Sequence, residues 1–370
     1  MNLHQLRFVR EAVRQQFNLT AVAAALFTSQ PGVSKAIIEF EQELGFQIFV
    51  RKGKRIIDLT PPGRVVVETI ERALTEIENL KQVADDFAAR DQGSLVIATT
   101  ATQARYSLPQ AIAKFKQLFP AVRLTLLQGD PTHVAQYVMH GRADIGIATE
   151  ALADYGELIT LPIYQWSHIA IVPRGHALDG AATLTLEQLA AHPLITYDVA
   201  YSGRSRIDAA FERRDLTPQI VLEAVDSDVI KTYVELGLGV GLVAEMAYDP
   251  KRDTHLHAIP VGPLFGANIT RVGVRQGAYL RDFAVKFLHL LSPQITRAGL
   301  ETAMQHARDV DATAARMLQR GLAAHLVIGR DPRDGTAHIQ RRIRGERDDV
   351  AHAGIVSAGR RRCCHRCQSR

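Results

Sequence analysis

The chain has 370 residues, room for roughly two or three domains, and with 46% hydrophobic residues it has ample material for buried cores. No apolar run approaches the ~20 residues that span a bilayer, and residues 1–16 alternate Leu, Phe and Val with Arg and Glu, unlike a signal or transit peptide, so a cytoplasmic protein is expected. Of the net charge of +5, the segment from Arg297 onward supplies 15 Arg, no Lys and 8 acids, leaving a nearly neutral body, so the pI of 9.1 says little about nucleic acid.

In chain order, residues 1–58 read as short helices ending in a basic turn. Asn18 or Thr20 can cap an alanine-rich helix, Ala21 to Phe27, and Thr28 or Ser29 a second one with Pro31 in its first turn. Val33, Ile37, Phe40 and Leu44 share the inward face of that second helix, leaving Gln30, Ser34, Lys35 and Glu39 outward. Two helices joined by a short turn, the second with a polar start, suit insertion into a major groove. Gln30 can pair with an adenine edge, and Ser34 and Lys35 suit phosphate oxygens. Ile48–Val50 then enters a hairpin wing, Arg51-Lys52-Gly53-Lys54-Arg55, aimed at the DNA backbone or minor groove.

Residues 59–90 read as one long helix starting at Pro61-Pro62. Val66, Ile70, Ala73, Ile77, Leu80, Ala84 and Phe87 recur with the alternating spacing of a coiled-coil seam, which predicts pairing with a partner helix. Residues 91–293 alternate strand-like and helix-like segments: strands at Ser94–Thr99, Val122–Gln128, Ala143–Ala148, Ile169–Val172, Leu194–Tyr197, Ile220–Glu223 and Val240–Ala244, and helices at Thr102–Phe119, Thr132–His140 and Ser227–Leu236. This pattern predicts open α/β sheets in two lobes, lobe I from 91–163 and 268–293 and lobe II from 164–267. At the end of the first strand, Thr99-Thr100-Ala101-Thr102-Gln103 bring hydroxyls, an amide and helix N–H groups together without a carboxylate. Neutral donors of that kind, at a strand's carboxyl end, suit a small anion. Thr149 ends another strand, and Tyr201-Ser202-Gly203-Arg204 begins a helix of the other lobe. Trp166, the one tryptophan, falls near the lobe crossover, where packing and effector contact are equally good readings.

Gly237-Leu238-Gly239-Val240-Gly241 follows a helix and precedes a strand, the reverse of a dinucleotide loop, and reads as a helix cap and a close backbone approach. No catalytic or metal-ligand spacing stands out among the 14 histidines, and His255-x-His257 reads as exposed strand; an enzyme, a metal and a cofactor are not expected. Cys363, Cys364 and Cys367 end the chain in a cluster with His365 but without a second ligand pair. Residues 294–370, Arg-rich and without aromatics, predict disorder or a marginal helix around Thr302–Leu326, and their composition also fits an altered reading frame.

Phe8, Ala23-Ala24, Thr28-Ser29-Gln30-Pro31-Gly32-Val33-Ser34, Glu41-x-x-Leu44-Gly45, Phe49-x-Arg51 and Leu59-Thr60-Pro61-x-Gly63 resemble the LysR-type transcriptional regulators, and the likeness extends to about Pro293. The resemblance implies an all-α winged helix-turn-helix ahead of a two-lobed α/β effector domain similar to periplasmic solute-binding proteins. It also implies promoter DNA as partner, with Thr28, Ser29, Gln30, Pro31, Ser34, Lys35, Arg51, Lys52, Lys54 and Arg55 at the DNA. A homodimer through the long helix and a homotetramer follow from it, and RNA polymerase is a further candidate partner. The cleft resembles that of the CysB-like, sulfur-assimilation branch, in which Thr100, Thr102, Gln103 and Thr149 match the inducer or sulfate pocket; Ser202 stands where the branch commonly has Thr. Sulfate, acetylserine and adenylyl sulfate are the effectors it implies. The rival readings are a regulator of another pathway with a different anion, and a solute-binding protein carrying an accessory helical domain.

Overall fold

A computed structural model describes residues 1–53, 55–88 and 91–305, with the backbone alone of Ser202. The expectations placed on Lys54 and on the chain from 306 onward, the cysteine cluster included, lie outside the described residues.

Helix α1 (Leu3–Arg14) starts at a reciprocal cap, the Gln5 N–H donating to Asn2 Oδ1 at 3.0 Å and the Asn2 N–H to Gln5 Oε1 at 2.9 Å. Asn18 caps α2 (Leu19–Ala25), so this helix begins and ends two residues earlier than its apolar pattern predicts; Phe27, at φ +52°, has already left it. Ser29 caps α3 (Gln30–Leu44), which stops at Gly45 in the left-handed region, φ +79°. Val33, Ile37 and Phe40 point inward as their spacing requires and pack with Val9, Val22, Ile48 and Phe49. Strands β1 (Phe49–Lys52) and β2 (Arg55–Leu59) form the antiparallel wing.

Helix α4 (Pro61–Ala88) is continuous, but its seam divides. Val66, Ile70 and Ile77 are spent on the core of the chain's own N-terminal domain, whereas Leu80 is 74% and Phe87 83% exposed. A different face meets the next domain: the Asn79 amide donates to Gly277 O at 2.7 Å, and Asp86 accepts from Tyr279 at 2.8 Å and Arg281 at 3.2 Å.

The remaining elements make two five-stranded mixed sheets. The first contains β3 (Gly93–Thr99), β4 (Val122–Gln128), β5 (Ile145–Ala148), β6 (Leu158–Trp166) and, from late in the chain, β12 (Asn268–Arg275), in the order β4-β3-β5-β12-β6. Helices α5 (Pro109–Leu118), α6 (Pro131–Met139) and α11 (Asp282–Leu291) cover it. The second contains β7 (His168–Pro173), β8 (Leu194–Tyr197), β9 (Ile220–Ala224), β10 (Val240–Ala244) and β11 (Leu256–Pro260), ordered β11-β7-β10-β8-β9. Its helices are α7 (Leu186–Ala190), α8 (Ser202–Glu212), α9 (Ser227–Glu235) and α10 (Gly262–Phe265). Each sheet forms one lobe. Because β6 stays in the first sheet through Trp166, the chain crosses at Ser167, three residues after the expected boundary at 163/164.

The single helix expected over Thr102–Phe119 is instead a π-helical turn, Gln103–Ser107, followed by α5, since Pro109 has no N–H with which to continue the ladder. Leu118, the last residue of α5, is exposed. Gly237 caps α9 at φ +78°, and a side chain on Gly239 would come within 2.5 Å of Pro193 O, so this glycine run is a cap and a close approach. Packing continues beyond Pro293: Ile295 and Leu300 are buried in the core of lobe I, which corrects the expectation of a tail from 294.

Candidate functional site

At the N-terminal domain, Thr28, Ser29, Gln30, Pro31 and Lys35 are exposed and Ser34 half-buried, all in the turn before α3 or in its first two turns. The Ser29 hydroxyl accepts from the Gly32 N–H at 3.3 Å as a helix cap. Lys35 lies 3.7 Å from Glu39, an exposed pair too weak to hold the ammonium from another anion. In the wing, Lys52 and Arg55 are exposed and face each other across the tip, where Gly53 takes φ +62°. Arg51 departs from the expectation of four wing cations. Its guanidinium is 2.6 Å from Glu41 on α3, and that buried carboxylate also accepts from the N–H groups of Ile48 at 2.8 Å and Phe49 at 3.1 Å. Arg51 therefore ties the wing to α3 rather than standing free.

In the two-lobed domain, the topology collects the polar residues at one edge of lobe I. Strands β3 and β5 run parallel, β12 runs antiparallel to β5, and β6 antiparallel to β12. The ends of β3, β5 and β6 and the start of β12 therefore share that edge. Thr100 and Gln103 are buried just after β3, and Thr149 just after β5. The Gln103 amide donates to Thr270 Oγ1 on β12 at 3.2 Å, and its oxygen accepts from the Tyr164 hydroxyl of β6. Thr102 reaches across to lobe II, 3.3 Å from the Ser227 hydroxyl that begins α9. Trp166 is buried at the end of β6. Ser202 opens α8 on the opposite lobe, and Arg204 is turned away from the cleft, donating to Tyr197 O at 3.0 Å and Glu223 at 2.7 Å.

The lobes also touch at contacts that sequence reasoning missed. Arg206 of α8 donates to Glu150 at 2.7 Å, and the other oxygen of Glu150 accepts from the Ile269 N–H at 3.1 Å. The Tyr106 hydroxyl donates to Asp228 at 2.5 Å, and Lys231 joins Asp228 at 2.9 Å to buried Asp253 at 3.0 Å. Burial, reinforced by the Asp228 carboxylate, pushes the Tyr106 phenol up to about 12, so it stays a donor at neutral pH. Although burial acts the other way, Tyr106 and Lys231 hold Asp228 below the usual carboxylate range. Residues so far apart in the chain carry no local pattern; only the helix start at Ser227 was visible beforehand.

Residues 3–64 match the bacterial regulatory helix-turn-helix protein family, lysR type, and residues 88–295 match the LysR substrate binding domain. The chain belongs to the LysR family of transcriptional regulators. Among relatives, CysB of Burkholderia cenocepacia is 60% identical over 305 residues, covering 82% of this chain and 97% of that protein. SsuR of the same species is 53% identical over 307 residues, covering 83% of this chain and all of that protein. The crystal structure of the cofactor-binding domain of the Cbl transcriptional regulator superposes with a TM-score of 0.55 at 46% identity, covering 58% of this chain and 93% of that one. This LysR-family protein is thus a DNA-binding regulator of the CysB-like, sulfur-assimilation branch and not an enzyme. As a member of its family it binds promoter DNA and a small-molecule effector, and it oligomerises. No described helix is long and apolar enough to cross a membrane.

Proposed function

We propose that this regulator holds a small sulfur-related anion or acetylserine between its lobes, and that the occupied cleft changes how α3 and the wing engage promoter DNA in the cytoplasm. The observation that carries this reading is the edge of lobe I, where buried Thr100, Gln103 and Thr149 converge with Thr102, which meets Ser227 at the start of α9. Neutral hydroxyl and amide donors at strand ends, with nearby Glu150 neutralised by Arg206, suit an oxyanion. At the DNA, Gln30 is the base-reading candidate, Thr28, Ser29, Pro31 and Ser34 sit beside it, and Lys35, Lys52 and Arg55 are candidates for phosphates. The exposed half of the α4 seam supports a homodimer, and a tetramer with access to RNA polymerase belongs to the same proposal.

Calorimetry on the full chain with sulfate, acetylserines and adenylyl sulfate tests the cleft. The substitution Thr100→Val should abolish the heat; an unchanged titration would remove the pocket. Fluorescence anisotropy with promoter DNA at several salt concentrations tests the head. There Gln30→Ala should relax base preference by about 1–3 kcal/mol, and Lys35→Ala should weaken all sequences alike and flatten the salt slope. If neither changes binding, α3 is not the reading helix.

A further inference from the structure

Among the described residues, four other than glycine hold a positive φ: Gln16, Phe17, Phe27 and Asp215. Such backbone is strained in any residue with a Cβ, and it persists where the surroundings or the function require it. Two of the four are phenylalanines of the DNA-reading domain, and their rings fare differently. Phe17, at φ +66°, packs on the core of that domain, its ring edge to face with Phe49 at 6.2 Å. Phe27, at φ +52°, lies outside that core and is 98% exposed.

The turn between α2 and α3 explains the backbone of Phe27 but not its ring. The Phe27 N–H donates to Ala24 O at 3.3 Å and the Thr28 N–H to Ala23 O at 2.9 Å, a left-handed closure of α2 that glycine would make without strain. A phenyl ring at this point adds strain and sets apolar surface in water. Beside it lies the reading surface: residues 27–31 form one exposed run that ends with Gln30 and Pro31 in the first turn of α3. The same domain exposes Lys35, Lys52 and Arg55, so the occupant that fits is a polyanion that also presents an apolar group. On the major-groove edges of DNA that group is the 5-methyl of thymine.

We propose that Phe27 is a further specificity-determining residue of DNA binding, its ring packing on a thymine 5-methyl next to the base that Gln30 reads. This rests on the reading of α3 as the helix that enters the major groove. The ring's apolar surface, left in water in the free chain, is buried at the duplex. Because the contact carries no charge, it adds base preference without adding to the salt dependence of binding.

Fluorescence anisotropy of the full chain on a duplex selected from a random pool tests the assignment, with single thymines replaced in turn by deoxyuridine, which removes only the methyl. The parent should lose about fourfold, the worth of one buried methyl group, at one position in each half-site. Phe27→Ala should lose at least that factor on the unmodified duplex, lose nothing further at that position, and keep the parent's salt slope. Phe27→Leu, which keeps an apolar side chain, should recover part of the loss. Phe27→Gly should weaken binding as alanine does while the melting temperature holds or rises, since glycine takes this φ freely. An alanine variant that binds like the parent, a loss that adds in full to that of deoxyuridine at every position, or a flattened salt slope would overturn the proposal. Gln30→Ala and Lys35→Ala are the separate controls: if both leave binding unchanged, the reading of α3 fails instead.

Discussion

Glu41 is the side chain on which the geometry of the DNA-reading head turns, and its removal has a calculable cost. Its side chain is 5% exposed, its Oε1 accepts two backbone N–H groups at the start of β1, and its Oε2 holds Arg51 at 2.6 Å. Alanine at this position leaves the Ile48 and Phe49 N–H groups without a partner inside the fold, at about 1–3 kcal/mol each. Arg51 loses its counter-charge as well, but its side chain is 24% exposed and turns to water, so the ion-pair loss falls well below that of a fully buried pair. The sum for Glu41→Ala is about 3–5 kcal/mol, a large fraction of the ~5–15 kcal/mol that stabilises a domain. Glu41→Gln keeps an acceptor for the two amides and loses only the charge assistance, about 1–2 kcal/mol. Urea denaturation of the N-terminal transition, with amide exchange at Ile48 and Phe49, measures both. The expected order is parent, Gln, Ala, with exchange at the two amides accelerating together and DNA affinity falling in the alanine variant. An alanine variant within ~0.5 kcal/mol of the parent would show that the carboxylate does not anchor the wing.

At the junction with α4, a Cβ on Gly63 would lie 2.0 Å from Ile48 O, so Gly63→Ala must displace backbone and should lower stability by about 3 kcal/mol or more; Gly45→Ala, with open space around it and only φ +79° to satisfy, should cost about 1–2 kcal/mol, and thermal melts that reversed this order would refute the reasoning. For pH, His168 titrates near 4 in the folded chain against 6.5 unfolded, so the folded state binds fewer protons between those values. Its contribution is fully present above 6.5 and is lost as pH falls toward 4, about 3 kcal/mol in all. The stability of the parent relative to His168→Phe should therefore fall by that amount from pH 7 to 4; parallel profiles would show a normal imidazole. On α4, Leu80→Asp and Phe87→Asp place charges where apolar side chains stand exposed, so sedimentation should show a dimer weakened about tenfold or more by each, with melting of the monomer unchanged. An undiminished dimer would place the interface elsewhere.

What could be read in advance follows the range of each signal. Caps at Asn18 and Ser29, the inward face of α3, the strands ending at Thr99 and Ala148, and the reversed glycine run are local patterns, and each was legible within a few residues. The ends of α2 were not, because the cap at Asn18 outweighed the alanine pattern that starts at Ala21. The seam of α4 was legible as a stripe, but periodicity carries no information on which surface covers it. Its first half packs on the domain's own core, and its second half is left exposed. Basic residues mislead in the same way: Arg51 reads like its neighbours in the wing until Glu41 is brought to it by a turn of chain.

The cleft's hydroxyls were legible because they stand at the ends of strands, whereas His168 and Asn268 were not, since their meeting depends on two crossings 100 residues apart. Strand β12 shows what such long-range placement achieves. It begins at Asn268 beside His168, passes Thr270 against Gln103, and ends at Arg275, whose guanidinium lies 2.7 Å from Glu78 of α4. The second oxygen of Glu78 accepts from Arg10 of α1 at 3.0 Å, and although burial opposes it, the two arginines hold this carboxyl below the usual range. One strand therefore spans from the floor of the proposed effector cleft to a carboxylate that the DNA-reading domain also grips. A ligand that reseats Asn268 and Thr270 acts on the same rigid element that positions Arg275.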